Sequence, residues 1–296
     1  MAVALSKEGS FGFALQTAKG TFVAPDTWLP LLEAETVSQK QGYVFFDLAD
    51  NNDFQSKYFS AGRWAEGLLP LPLIPGSVSN LLTWIQGRDG DNQGKWASAL
   101  VDCVNTVKKL TDAKVRRARL VLEKGKPVVC LLDIVALSLE QGTAQAPAVP
   151  VAPPYLFREA AVKLATGGAA PAADANCERI EIEVDALLED AAEGMRLRDA
   201  ASPLQLYNLS GIRCAGSFDR DFVDSAVYSD FLAGTESALT VTLTRGATTC
   251  TLTLPRVVHV EDEVGLPGSA ERRLVERVKF VALGSTDGAT PPITIV

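Results

Sequence analysis

Leu239-Thr240-Val241-Thr242-Leu243-Thr244-Arg245-Gly246-Ala247-Thr248-Thr249-Cys250-Thr251-Leu252-Thr253-Leu254 decides the fold class. Leu239, Val241 and Leu243 alternate with threonines, Arg245-Gly246-Ala247 makes a turn, and Cys250, Leu252 and Leu254 alternate with threonines again. A period of two turns one face of each arm to a core and the other to water, and threonine is a good strand former. The stretch is a β-hairpin. Upstream, Ile180, Ile182 and Val184 alternate with Glu181, Glu183 and Asp185 in the same way. Further strands are expected at 128–139, 273–283 and 292–296.

Helical signals are few. Val78, Leu81, Leu82 and Ile85 fall at i, i+3, i+4 and i+7, with Ser77 as cap and Gly87 as stop. Val227, Tyr228, Phe231 and Leu232 follow Asp224 or Ser225 and end at Gly234. The chain is therefore expected to be all-β with one short helix in each half.

The halves repeat. Tyr58, Gly62 and Gly67 recur as Tyr207, Gly211 and Gly216, each displaced by 149 positions (207−58, 211−62, 216−67). The turn at Leu122-Glu123-Lys124-Gly125 parallels Leu243-Thr244-Arg245-Gly246. At the same offset Glu33 and Glu35 fall opposite Ile182 and Val184, which exchanges the polar and apolar faces. A one-residue slip does that to a strand, so an insertion or deletion is expected between Glu35 and Tyr58. The first copy is also expected to carry an insert around 88–111. Composition marks the boundary: Gln141 to Pro154 holds prolines at 147, 150, 153 and 154. Such a segment favours extended polyproline II and reaches roughly 40 Å at ~3.1 Å per residue. The expected division is 1–140, a Pro-rich linker at 141–154, and 155–296. Tandem duplication of a whole domain points to symmetry and assembly.

Two units of about 150 residues sit at the commonest domain size. The longest apolar stretch, 128–139, is interrupted by Asp133 and falls short of the ~20 residues of a spanning helix. The first residues, soon followed by Lys7 and Glu8, make no secretory core, so synthesis in a cytoplasm and no membrane partner are expected. Cys103, Cys130, Cys177, Cys214 and Cys250 are odd in number and form no Cys-x-x-Cys pair, which reads as buried free thiols. Residues 1–150 carry 15 Lys+Arg against 15 Asp+Glu, and residues 151–296 carry 13 against 21, so the formal charge of −8 lies in the second half. That acidity argues against phosphate binding.

No catalytic, cofactor or metal constellation appears. His259 lies within a strand pattern without a nucleophile or orienting partner, and reads as facing solvent or a subunit contact. Asp89-Gly90-Asp91-Asn92-Gln93-Gly94 opens like a calcium loop, but its twelfth position is Leu100 where a bidentate glutamate is required. Glu261-Asp262-Glu263 reads as a solvated acidic turn, and residues 166–176 as a surface loop. The run Lys108, Lys109, Lys114, Arg116, Arg117 and Arg119 has three readings: a nucleic-acid patch that lacks stacking aromatics, a solvated strand face, or a basic contact for an acidic neighbouring copy. On the last reading Lys108, Lys109, Arg116, Arg117 and Arg119 are inter-subunit contacts.

Phe11-Gly12-Phe13-Ala14-Leu15-Gln16-Thr17-Ala18-Lys19-Gly20-Thr21-Phe22-Val23-Ala24-Pro25, followed by Trp28-Leu29-Pro30, resembles the amino terminus of long-tailed bacteriophage tail tube (major tail) proteins. Gly211-Ile212-Arg213-Cys214-Ala215-Gly216-Ser217-Phe218-Asp219-Arg220-Asp221-Phe222 is similar to that family's "G-x-x-x-x-G-S-x-x-R-x-F" pattern. Phe231-Leu232-Ala233-Gly234, Leu254-Pro255-Arg256-Val257 and Phe280-Val281-Ala282 also match. Gln16 stands where the family usually has glutamate. The resemblance implies a tandem β-sandwich or half-barrel of the duplicated type, and a structural subunit, not an enzyme. It further implies homotrimeric, pseudo-hexameric rings stacked in a helical assembly as a tail tube of the virion. Genome DNA would pass down its β-barrel channel on ejection without specific binding. Tape measure, tail terminator and tip proteins are the implied partners. Glu181, Glu183 and Asp185 are candidate channel-facing residues, although an outer wall also needs a polar face. Residues 38–57 and 188–202 are candidate long loops reaching the next ring. The other reading is a tandem β-sandwich binding module, such as a tail-tip receptor binder or adhesin, for which clustered exposed aromatics would be expected.

Overall fold

The computed structural model describes residues 9–296 apart from 33–34, 47–56, 87–94, 104–105, 144, 167–168, 192–202, 204, 210, 266–272 and 287–289. The first half runs β1 (Ser10–Leu15), β2 (Thr27–Pro30), β3 (Ser38–Phe46), β4 (Lys57–Pro72), α1 (Val78–Gln86), β5 (Ala97–Asp102), β6 (Val107–Glu123) and β7 (Val129–Gln141). The second runs β8 (Ala160–Leu164), β9 (Ala172–Ala173), β10 (Cys177–Asp185), β11 (Arg213–Asp221), α2 (Ala226–Ala233), β12 (Ser237–Arg245), β13 (Thr248–Gly265) and β14 (Val275–Ala282), and β15 (Thr294–Ile295) pairs with β13. The fold is all-β with short helices.

Strand order repeats element for element. The first half reads β3-β4-β7-β6-β5-β1-β2, and the second β10-β11-β14-β13-β12-β8-β9, all antiparallel. The repeated glycines are fixed points of this match. Gly67 pairs with Ile134 and Ile134 with Val115; Gly216 pairs with Phe280 and Phe280 with His259. In both halves the last step lands on a bulge, Val115/Arg117 in β6 and His259/Glu261 in β13. A bulge adds one residue and bends its strand, so both long strands change direction at the same place.

On their other side the glycines fix the register that the 149 offset could not. Gly216 pairs with Ile182, and Gly67 lies against the Val37 backbone. Val37 thus takes the place of Ile182 at an offset of 145 (182−37), four less than the glycine offset. Four is even, so Val37 and Ile182 both point into the core, where they are 1% and 0% exposed. An insertion or deletion does separate Val37 from Gly67, but it is of four residues and so is not the one-residue slip that the exchanged faces suggested.

Several local expectations are corrected. Residues 38–46 form β3 and not a loop, because Ser38 to Phe46 pair with Glu66 to Lys57. The expected insert at 88–111 contains β5 and the start of β6, which match β12 and β13. The Gly125 turn joins β6 to β7 and corresponds to the β13–β14 connection, not to the Gly246 turn. A three-strand meander has two turns, and sequence alone matched the wrong pair. Glu261 to Glu263 extend β13 because Lys279 to Arg277 of β14 pair with them. The calcium-like stretch 89–94 lies outside the described residues.

One apolar core runs through both halves, from Phe11 and Phe13 to Phe280 and Ile293. The proline-rich segment runs exposed along the surface and ends at this core. Tyr155 at its end is fully buried; its N–H donates to the Leu73 carbonyl (2.8 Å), and its carbonyl accepts from Val128 N–H (2.8 Å). Arg245 donates to the Pro153 carbonyl at 2.7 Å.

Inside the second half, Glu276 on β14 is fully buried opposite Arg220 on β11, at 3.5 Å. Burial, then the charge of Asp262, push its carboxyl up to about 7. The folded-state value exceeds the unfolded one, near 4.5, so the native state holds an extra proton in that window. Stability should therefore fall as pH rises from about 4.5 to about 7. Glu276→Gln is expected to flatten this fall and to gain about 2 kcal/mol over the parent above pH 7. Denaturation across that range checks it; a parent with flat stability there would refute it.

Candidate assembly interface

The two halves meet along β6 and β10. Seven consecutive pairs, Glu123↔Arg179 to Arg117↔Asp185, join them in one antiparallel register. This continues the sheet as β3-β4-β7-β6-β10-β11-β14-β13. One face of it is apolar because Ile180, Ile182 and Val184 of β10 point inward with Leu120 and Leu122 of β6. Its other face is polar.

On that polar face the seam is a ladder of ion pairs. Arg119 donates to Glu181 from Nε (3.0 Å) and from Nη2, and Arg179 also binds Glu181. Arg117 lies 3.5 Å from Glu183 and 3.3 Å from Asp185. Burial works against the charge on Glu181, but the hydrogen bond and charge of Arg119 outweigh it and hold the carboxyl below its usual range. Exposed pairs of this kind contribute at most about 1 kcal/mol each, so their larger effect is to fix register.

The structure thus brings the candidate channel residues Glu181, Glu183 and Asp185 into contact with the candidate contact residues Arg117 and Arg119, within a single chain. The other basic candidates go elsewhere. Arg116 is the extra residue of the β6 bulge and forks onto Asp133 (2.9 and 3.0 Å), with Glu66 at 3.2 Å. Lys108 binds Glu35 and donates to the Val37 carbonyl at 2.6 Å. Lys109 reaches Glu140 at 3.1 Å and covers the Phe22 ring at 4.8 Å. Lys114 is buried, donating to the Leu206 carbonyl (2.6 Å) beside the Trp96 ring (4.3 Å). These partners leave the arginine run a poor phosphate surface.

His259 and three of the five cysteines face inward, while Cys103 and Cys177, also expected to be buried, are only part-buried. His259, expected at the surface, is 5% exposed with its ring 6.0 Å from Phe218. An extra residue of β13 between Leu254 and Val257 moves Val257 and His259 onto the inward face, and burial lowers the basicity of His259. Cys130, Cys214 and Cys250 are buried free thiols; burial pushes Cys130 and Cys214 up to about 12 and Cys250 up to about 11. They are held as thiols at neutral pH, far from the thiolate that reacts.

Two edges of the eight-strand sheet are open among the described residues. β3 pairs only with β4. The β12 side of β13 is covered as far as Val257, after which 258–265 pair only with β14. These are the counterparts of the two edges that meet at the internal seam: β3 matches β10, and 261–265 of β13 match 117–121 of β6, which take β10. Sequence reasoning missed both. Ser38-Gln39-Lys40-Gln41-Gly42 has no apolar alternation, and the one available signal was the 145 offset.

A family model described as phage tail tube protein matches residues 1–294. No curated protein matches the chain.

Proposed function

The chain belongs to the phage tail tube protein family, and from that premise we propose that three copies close into a pseudo-hexameric ring. It is a structural protein of the phage tail that assembles with itself into the tube. In the proposed ring, 1–140 and 155–296 act as two units joined by 141–154, and each chain supplies eight strands, so that three supply 24. Barrels of this size keep an aqueous lumen. The observation that carries the reading is the pair of open edges, each equivalent to an edge that is already paired inside the chain. An unpaired edge invites strand addition, and repeating the internal seam between chains covers both open edges of the eight-strand sheet.

The polar face then lines the channel, with Glu181, Glu183 and Asp185 on it. Arg117 and Arg119 are held by these carboxylates, so DNA passing during ejection meets few free cations, in a ring whose formal charge is −24 (3 × −8). Stacking of rings, with tape measure, terminator and tip proteins as partners, and synthesis in the host cytoplasm before incorporation in the virion complete the proposal.

Negative-stain microscopy of the concentrated pure protein tests it. Three-fold rings or tubes of one diameter are expected; a protein that stays monomeric when concentrated would overturn the reading.

A further inference from the structure

The correspondence between the halves assigns a counterpart to every residue of the internal seam. Stepping from the matched bulges, Arg117 corresponds to Glu261 and Arg119 to Glu263, because Asp133 faces Arg117 as Lys279 faces Glu261. Stepping from Val37 and Ile182, Asp185 corresponds to Lys40 (185−40 = 145) and Glu183 to Ser38. Within the chain, Arg117 lies directly opposite Asp185. In the equivalent contact between chains, Glu261 lies directly opposite Lys40. The basic and acidic strands have changed places.

We propose that the seam between chains is the charge-swapped counterpart of the seam within the chain, with Glu261 and Glu263 of one copy against Lys40 of the next, so that only alternating halves can pair. The proposal rests on the ring reading above and adds what selects the partner edge. Were the internal seam to open, each wrong combination would set like charges in opposition. The β13 edge against a β10 strand would place Glu261 opposite Asp185 and Glu263 opposite Glu183. The β6 edge against a β3 strand would place Arg117 opposite Lys40. Like charges directly opposite one another destabilise a strand pair, and discrimination between partners needs such repulsive elements as well as attractive ones. Both Lys40 and Glu261 are exposed, on edges that no described strand covers. Glu261 already holds Lys279 of its own chain at 2.7 Å, so it would sit between two lysines.

The test uses the full chain at low salt, where such charges are least screened. Lys40→Glu and Glu261→Lys are each expected to raise the protein concentration needed for half-assembly by about tenfold, read by sedimentation velocity. The combined variant Lys40→Glu/Glu261→Lys is expected to return to within about threefold of the parent. Melting temperatures of the dissociated variants, close to that of the parent, exclude misfolding. Single variants that assemble as the parent does, or a combination no better than the singles, would overturn the charge-swapped seam while leaving the ring in place. A parent that never assembles would overturn both.

Discussion

Gly216→Ala is expected to cost about 4 kcal/mol or more and to lower the melting temperature by on the order of 10 °C, or to prevent recovery of folded protein. Gly216 sits mid-strand in β11, between β10 and β14. A β-carbon there would run into the Glu181 carbonyl oxygen and lie 2.5 Å from Cζ of Phe280. The first obstacle is backbone in the seam strand, and the second is a ring that is 1% exposed in the core. Relief on one side tightens the other, so neither neighbour yields cheaply. Gly67 meets the Val37 backbone in the equivalent way, which is why the repeat keeps these two glycines. Gly265→Ala is the control: its β-carbon meets nothing within 4 Å and it should melt like the parent. Thermal denaturation of the two variants decides the matter, and a Gly216→Ala protein as stable as the control would refute the close approach.

Trp84→Ala should destabilise by about 3–5 kcal/mol, measured by equilibrium denaturation. Trp84 is 2% exposed on α1 and stacks on Phe13 at 5.2 Å and Phe11 at 6.4 Å, with interplanar angles of 20° and 12°. Removing the indole empties the space between helix and β1 and forfeits the stacking besides the burial. The second half gives the contrast. α2 buries only Val227 and Asp230, and Tyr228 is 39% exposed, so Tyr228→Ala is expected to cost under about 1 kcal/mol. Equal losses for the two variants would show that α1 does not anchor the first half.

Strands with one apolar face were legible in the sequence, because burial writes a period of two. β10 and the β12–β13 hairpin follow that rule residue by residue, and both helices lie where expected, although Tyr228 and Leu232, read as part of the apolar face of α2, are exposed. The failures cluster at the open edges. Ser38 to Gly42 and Glu261 to Glu263 are polar or acidic runs that read as loop and turn, since the hydrogen bonds of a neighbouring strand, and not side-chain burial, hold them extended. His259 was misjudged for a related reason: an extra residue between Leu254 and Val257 changes which face the following strand positions occupy. In the structure Arg117 and Arg119 meet Glu181, Glu183 and Asp185. That their contact would form inside one chain depended on the chain path, which no local pattern records.

The fused seam between β6 and β10 also bears on how fast such a ring would form. Six separate half-chains would have to meet one another at six bimolecular contacts. With every second contact made on folding, three remain, and the tethered halves see each other at an effective concentration in the millimolar range. Ring growth would then depend on a lower power of protein concentration, and dilute subunits early in infection could still close rings. Tyr155, hydrogen-bonded to both Leu73 and Val128, ties the start of the second half to the first.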